Sequence, residues 1–241
     1  MGFLFDMDGV LTRTASLHAA AWKQTFDEFL ARRDGPGFRP FDSTTDYDQY
    51  VDGRARADGT RSFLQSRGIE LPEGSPADRP DTPTVSGLSN RKNELVLAMM
   101  ERDGVAVFDD AVRYARAVAG AGYARAVVSA SANTVQVLEA AGLIDLFPVR
   151  VDGVVAEARH LAGKPAPDMF LAAADLLGLN PDQAAVFEDA LAGVAAGRAG
   201  GFACVVGVDR VGQADALHQH GADIVVSDLT TLLGTDRGAG S

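Results

Sequence analysis

The sequence contains one cysteine, one tryptophan and no long apolar segment. The single cysteine, Cys204, excludes an internal disulfide, which is typical of a reducing compartment. Its apolar neighbours Ala203 and Val205 favour a small core residue over a nucleophile or a metal ligand. No run reaches the roughly 18 apolar residues that cross a membrane, and no signal-peptide pattern is present. We therefore expect a cytoplasmic protein with no membrane partner.

Positive charge is also scarce. Acidic residues number 33 against 22 lysines and arginines, so the formal net charge is −11. A surface of this sign disfavours nucleic acids and anionic membranes as partners. The 241 residues, 46% of them hydrophobic, are enough for one large domain or for a core with a small second domain.

The most informative segment is an apolar run that ends in two carboxylates. Phe3 to Phe5 leads directly into Asp6, and Asp8 and Gly9 follow. Residues two apart on a strand point to the same side, so the two carboxylates can converge. Such a pair is unfavourable unless a cation or a shared proton offsets the repulsion. The alternative interpretation of this short motif is a strand followed by an ordinary turn.

From about residue 105 onward, short apolar runs alternate with helical patterns. This alternation predicts βαβ units and a parallel sheet, whose ligand site lies beyond the carboxyl ends of the strands. Asp6, Ser129 and the pair Glu188-Asp189 all follow predicted strands. After the first strand, the predicted strands are 124–128, 147–151, 184–187, 202–206 and 224–226, and the predicted helices are 109–121, 133–141, 167–178, 190–199 and 228–233.

Residues 15–98 have a different pattern, with no convincing buried strand. Helical periodicity surrounds Trp22 and returns over 88–102, and the loop 72–84 between them holds four of the ten prolines. We predict a helical cap, residues 15–98, inserted into an α/β core made of residues 1–14 and 99–241. The last residues, 235–241, are predicted to be a flexible tail.

Four short motifs stand in order at predicted strand ends. They are Asp6-x-Asp8-Gly9-Val10, Val128-Ser129, Lys164-Pro-Ala-Pro-Asp168 and Glu188-Asp189. Together they resemble the haloacid dehalogenase (HAD) superfamily of phosphotransferases, in the subclass with a helical cap after the first strand. Further residues resemble its β-phosphoglucomutase subfamily: Thr14-x3-His18-x3-Trp22, Gly53-Arg-Ala-Arg56, Arg91-Lys92-Asn93 and Ser129-Ala-Ser131-x-Asn133. The resemblance implies a Rossmann-like core with an α-helical cap.

The resemblance also implies catalytic roles. Asp6 would be the nucleophile that becomes an aspartyl-phosphate. Asp8 would be the general acid and base for a sugar hydroxyl, for which we expect partial shielding and a raised pKa. His18 would approach Asp8 and help to set its protonation, although a histidine at this place is usually a satisfied polar residue.

Charge balance supports a cation at the strand ends. Four carboxylates and a substrate phosphate exceed what one lysine neutralises, and Mg²⁺ suits carboxylates, water and phosphate oxygens. The expected Mg²⁺ ligands are Asp6, the backbone carbonyl of Asp8, Asp189 and, directly or through water, Glu188. The expected phosphate-binding residues are Ser129, Ala130 and Lys164. The alternatives are a helix N-cap for Ser129 and an acidic cap of helix 190–199 for the Glu-Asp pair.

The cap would supply the groups that bind the rest of the substrate. By the resemblance, Arg56 binds the distal phosphate of a bisphosphorylated sugar and Lys92 contacts sugar or phosphate, with Arg54 close enough to share the task. The expected substrate-binding residues are Gly53, Arg56, Lys92, Ser131 and Asn133. Taken singly, each arginine could instead belong to a solvated face of residues 52–61. Ala132 and Ala190 depart from the subfamily pattern.

These expectations favour a Mg²⁺-dependent phosphomutase. It would interconvert β-D-glucose 1-phosphate and glucose 6-phosphate through a phosphoprotein intermediate and a 1,6-bisphosphate. The alternative is a sugar-phosphate phosphatase with the same Asp pair, in which water accepts the phosphoryl group. A phospho-accepting receiver domain also uses acidic residues and Mg²⁺, but it has no use for a cap of about 80 residues. We expect a small-molecule sugar phosphate as partner and a monomer or weak dimer.

Overall fold

The computed structural model describes residues 1–234, so the predicted tail 235–241 lies outside the described residues. Its centre is a six-stranded parallel sheet in the order β3-β2-β1-β4-β5-β6. The strands are β1 Gly2–Phe5, β2 Ala124–Val128, β3 Val149–Val151, β4 Ala184–Glu188, β5 Cys204–Val208 and β6 Ile224–Val226.

Strand β1 lies in the middle of the sheet, which explains its uninterrupted apolar run. Phe5 pairs with Val127 of β2 on one side and with Phe187 of β4 on the other. Because all three strands are parallel, their carboxyl ends share one edge of the sheet. Asp6 and Ser129, which follow β1 and β2, and Glu188, which ends β4, are therefore brought to the same edge.

Helices cover both faces of the sheet. One apolar cluster packs the β1 phenylalanines against Tyr114, and a second packs Leu4 and Val186 against Phe170. The core helices are α4 Asp109–Gly120, α5 Thr134–Ala140, α6 Gly153–Ala158, α7 Asp168–Leu176, α8 Leu191–Ala199 and α9 Ala214–Gln219. Within residues 1–234, none of the helices is both long and apolar enough to cross a membrane.

The inserted segment is helical and has its own aromatic core. Its helices are α1 Ala15–Asp34, a π-helical turn Tyr47–Val51, α2 Arg56–Ser66 and α3 Val85–Asp103. Trp22 stacks on Phe26, which contacts Phe41 and Phe63. Helix α3 continues past the predicted boundary at residue 98, and Met100 packs in the core cluster of the sheet.

Several element boundaries differ from the prediction. The third strand begins at Val149 instead of 147, because Pro148 has no N–H to donate to a ladder. The fifth strand is 204–208 instead of 202–206, and the last predicted helix is a 3₁₀ turn, Leu229–Leu232. The helices α2, α6 and α9 were not predicted.

Candidate active site

The cap and the carboxyl ends of β1, β2 and β4 enclose a cavity of about 440 Å³. A volume of this size is typical of small-molecule sites. Ten of the predicted site residues line it: Asp6, Asp8, His18, Gly53, Arg56, Lys92, Ser129, Ala130, Ser131 and Asn133. The other three, Lys164, Glu188 and Asp189, are buried beside it.

Lys164 binds two carboxylates at once. Its Nζ lies 2.5 Å from Asp6 Oδ1 and 2.5 Å from Glu188 Oε1, and its side chain is fully buried. Burial alone would lower the pKa of Lys164, but the carboxylates of Asp6 and Glu188 raise it above the ordinary value. The lysine is therefore a fixed positive charge that binds Asp6 through Oδ1.

A divalent cation fits the three acidic groups at this place. Asp6, Glu188 and Asp189 each offer an oxygen within 4.8 Å of the others. Both oxygens of Glu188 accept hydrogen bonds, from Lys164 and from the Ala190 N–H, whereas Asp189 Oδ1 is buried without a partner among residues 1–234. Burial and the neighbouring carboxylates of Asp52, Glu188 and Asp6 raise the pKa of Asp189 well above its usual value, so a cation bound here would favour its ionised form.

The turn after β1 packs closely against the carboxylate of Asp189. Gly9 has φ of +85°, and a Cβ built on it would lie 1.7 Å from Asp189 Oδ2. A side chain at residue 9 would therefore occupy the place of the carboxylate. The glycine of the D-x-D-G motif is required by both its conformation and its neighbour.

Asp8 is held in its ionised form, contrary to the prediction. Thr14 donates a hydrogen bond to Oδ1, and Ser129 Oγ lies 3.3 Å from Oδ2. Burial alone would raise the pKa of Asp8, but His18 and the hydrogen bond from Thr14 lower it to about 2. The expected raised pKa is wrong because His18 and Thr14 together outweigh the effect of burial on Asp8.

His18 stands between Asp8 and Lys92. Its Nε2 lies 3.3 Å from Asp8 Oδ1, and its Nδ1 lies 2.6 Å from Lys92 Nζ. Burial lowers the pKa of His18, and the Lys92 ammonium lowers it further. A neutral imidazole can accept a hydrogen bond from the Lys92 ammonium at Nδ1 while it faces Asp8 with Nε2.

The cap side of the cavity is basic. Arg54 and Arg56 both line it, and Arg56 Nη1 lies 3.5 Å from the carbonyl oxygen of Ser89. Burial lowers the pKa of Arg56, which leaves the guanidinium charged but poorly hydrated. Burial and the neighbouring Arg56 lower the pKa of Lys92 to about 7. An anionic ligand would relieve this concentration of positive charge.

Among the cavity residues that were not predicted from the sequence are Tyr47 and Asp52, and Asn93 was given only as part of the Arg91-Lys92-Asn93 motif, without a role. Tyr47 begins the π-helical turn and Asp52 follows it. Burial and Glu188 raise the pKa of Asp52 to about 7. Gly53, the next residue, approaches the core so closely that a Cβ would lie 3.1 Å from Ala190 Cβ. The Asp-Gly pair after an aromatic run was the available signal, but it resembles an ordinary turn.

The fold and the site define a class of protein. A sequence profile of the haloacid dehalogenase-like hydrolases matches residues 1–201. The match covers most of the chain. The aspartate pair lies at the end of β1, Glu188 and Asp189 lie at the end of β4, and the buried Lys164 lies in the loop before α7. The chain belongs to the haloacid dehalogenase-like hydrolase family.

Within this family, the chain is similar to a β-phosphoglucomutase of Mycobacterium bovis, with 58% identity over 95% of this chain and 90% of the relative. It superimposes on the crystal structure of β-phosphoglucomutase from Clostridium difficile with a TM-score of 0.75, covering 96% of this chain and 92% of that one, at 24% identity. A trehalose-phosphate phosphatase of Mycobacterium leprae is 38% identical over 143 residues, which are 56% of this chain and 32% of that protein.

Proposed function

We propose that the protein is a Mg²⁺-dependent β-phosphoglucomutase, which interconverts β-D-glucose 1-phosphate and glucose 6-phosphate. The observation that carries the proposal is the pairing, in one cavity, of Asp6 and Asp8 on the core with Arg54, Arg56 and Lys92 on the cap. A phosphatase needs the first group only. A bisphosphorylated intermediate needs both, because its second phosphate must be bound while the first reacts. The name of the relative with 58% identity agrees with this reaction.

In the first half of the reaction, Asp6 carries a phosphoryl group on the oxygen that Lys164 does not bind. A hydroxyl of the sugar monophosphate attacks the phosphorus, and the bond between phosphorus and the Asp6 oxygen breaks. The hydroxyl proton moves to Asp8, which a pKa of about 2 keeps ready to act as a base. The Asp6 carboxylate returns, and the product is the 1,6-bisphosphate.

In the second half, the bisphosphate turns around and presents its other phosphate to Asp6. Asp6 attacks that phosphorus, and the sugar oxygen leaves with the proton that Asp8 holds. Ser129 and the neighbouring backbone N–H groups are proposed to bind the phosphoryl oxygens, with Ala130 in the same loop. Ser131, Asn133, Gly53, Arg56 and Lys92 are proposed to bind the sugar and its distal phosphate.

We infer that Asp6, the Asp8 carbonyl and Asp189 hold the Mg²⁺, with Glu188 placed to act through water because both of its oxygens accept protein hydrogen bonds. The bound ion would neutralise charge on the transferring phosphoryl group. Lys164 would remain the counter-charge of the Asp6 carboxylate.

The second candidate is a sugar-phosphate phosphatase. The partial match to a trehalose-phosphate phosphatase favours it, because related cores can pass the phosphoryl group to water. In that case the cap arginines would be dispensable for turnover. For either activity we propose a cytoplasmic location and a monomer or weak dimer, which size-exclusion chromatography with light scattering tests.

The decisive experiment is ³¹P NMR of the protein with Mg²⁺, β-glucose 1-phosphate and catalytic glucose 1,6-bisphosphate. We expect glucose 6-phosphate with little inorganic phosphate. Steady release of inorganic phosphate would establish the phosphatase instead. Asp6→Asn, which removes the nucleophile at constant size, should abolish both reactions.

A variant of the cap residue Arg56 gives a second test that distinguishes the mutase from the phosphatase. Arg56→Ala should lower kcat/KM for the mutase reaction about 10- to 100-fold, the effect of losing a charged hydrogen bond. The matched control is Arg61→Ala on the same helix, because Arg61 pairs with Glu73 and Asp58 on the outside of the cap. Equal activity of both variants would contradict a distal phosphate site at Arg56.

A further inference from the structure

Two contacts between polar side chains join the cap to the core within residues 1–234. One is the approach of His18 to Asp8 in the catalytic centre. The other is a hydrogen bond between two amides, in which Asn133 Nδ2 donates to Asn93 Oδ1 over 2.8 Å. Both asparagines line the cavity, so this second bridge crosses the substrate site itself.

The amide bridge is anchored on both sides. Asn93 follows Lys92 on α3, the helix that passes from the cap into the core. On the core side, the Asn133 N–H donates to Ser131 Oγ and the Ser131 N–H donates to Ser129 Oγ. A movement of the cap at Asn93 therefore acts on the loop that begins with Ser129.

The two contacts respond differently to the reaction. Each phosphoryl transfer adds a proton to Asp8 or removes one, so the attraction between Asp8 and His18 changes within a turnover. An amide pair has no ionisable group, and its hydrogen bond holds in both states. The bridge can keep the cap in place when the catalytic contact is weakened.

We propose that Asn93 is a positioning residue which, through Asn133, keeps the cap over phosphorylated Asp6 and so favours a sugar hydroxyl over water as the acceptor. This inference rests on the proposed mutase function. When the bridge opens, a water oxygen bonds to the phosphorus, the bond to the Asp6 oxygen breaks, and one water proton moves to Asp8. The products are inorganic phosphate and free Asp6, and the next turnover needs new bisphosphate.

The test compares three variants on one helix. Asn93→Leu removes the acceptor at nearly constant size, and Asn93→Asp keeps a carboxyl oxygen that can accept from Asn133. The control is Asn90→Leu, since Asn90 also lines the cavity but donates only to Pro76 and Asp78 within the cap. The readout is the ratio of inorganic phosphate to glucose 6-phosphate at saturating substrate, measured by ³¹P NMR.

We expect Asn93→Leu to raise this ratio about threefold to tenfold, the effect of one neutral hydrogen bond on the open fraction of the cap. Asn93→Asp and Asn90→Leu should stay within about twofold of the wild type. The added charge of Asn93→Asp can raise KM for an anionic substrate, and saturation removes that effect. A ratio unchanged in Asn93→Leu, or raised equally in Asn93→Asp, overturns the inference.

Hydrogen exchange separates this inference from the proposed function. Backbone amides of residues 9–18, which join core and cap, should exchange faster in Asn93→Leu than in the wild type, with no substrate added. Absence of glucose 6-phosphate from the wild-type reaction contradicts the mutase proposal alone. Equal exchange in the wild type and Asn93→Leu contradicts the bridge, whatever the reaction is.

Discussion

Lys92 has a pKa close to neutrality. Its ammonium is buried, lies 2.6 Å from His18 Nδ1 and shares the cavity with Arg56. Asp8 favours the charged form, but burial and Arg56 outweigh it and lower the pKa to about 7. A lysine that titrates near neutrality can change its charge on ligand binding.

This pKa predicts a pH dependence of substrate capture. Above pH 7 the free enzyme loses the Lys92 charge, so kcat/KM for an anionic sugar phosphate should fall with a slope approaching tenfold per pH unit. In Lys92→Arg the guanidinium stays charged, and the fall should move to higher pH. Initial rates between pH 6 and 9 give the answer.

Asp52 is the control for this profile, because it gains a negative charge in the same pH range. If Lys92 causes the fall, Asp52→Asn keeps it. A level profile in the wild type, or one that becomes level only in Asp52→Asn, would contradict the role of Lys92.

Among the elements, the junction of β4 and α8 is the most tightly constrained. Gly193 lies in the first turn of α8, and a Cβ built there would lie 1.7 Å from Glu188 Oε1. The same carboxylate binds Lys164, which in turn binds Asp6. One methyl group would therefore disturb the buried charge network from the side of the helix.

Gly193→Ala should destabilise the protein by about 1–3 kcal/mol, the usual effect of overpacking. The control is Gly120→Ala at the end of α4, where no described atom lies within 4 Å of the added Cβ and alanine is the better helix former. Denaturant unfolding measures both. Equal stability of the two variants would mean that Glu188 moves aside without cost.

The part of the site at the strand ends was predictable, because each strand and the polar residue at its end are neighbours in the sequence. Apolar runs followed by Asp6, Ser129 and Glu188 define strand ends, and parallel strands bring their ends together. Helix α2 was not predicted because two residues of its buried face, Gly59 and Thr60, are not apolar and so weaken the hydrophobic periodicity. Asn93 and Asp52 were not predictable in their roles, since their neighbours come from another part of the chain.

At the scale of the whole molecule, the three acidic residues Asp6, Glu188 and Asp189, which could bind a cation, also lower the stability of the folded protein. Asp189 is buried, its Oδ1 has no partner within residues 1–234, and carboxylates of Asp52, Glu188 and Asp6 surround it. In the part of the chain that the structure describes, Lys164 is the one cation that pairs with this group, through Asp6 and Glu188. Without a bound cation, the folded state keeps this repulsion and the unfolded chain does not.

Mg²⁺ should therefore raise the unfolding temperature of the whole protein, by an amount that grows with its concentration. At about 100 times the dissociation constant the gain is about 2.7 kcal/mol. Asp189→Asn should be more stable than the wild type in EDTA and insensitive to Mg²⁺. Calorimetry with exposed Asp42→Asn as the control checks this, and equal melting of the wild type with Mg²⁺ and with EDTA would contradict it.

The cap is inserted between β1 and the other strands of the core, so the cap is synthesised before β1 can pair with its neighbours. Strand β1 is made first, but its partners β2 and β4 begin at Ala124 and Ala184. At ordinary rates of translation it waits about ten seconds for the first of them. The aromatic cluster of the cap lies wholly between Trp22 and Leu88, so all of its members have emerged by then. The cap can collapse around its own core while β1 is still an unpaired apolar segment.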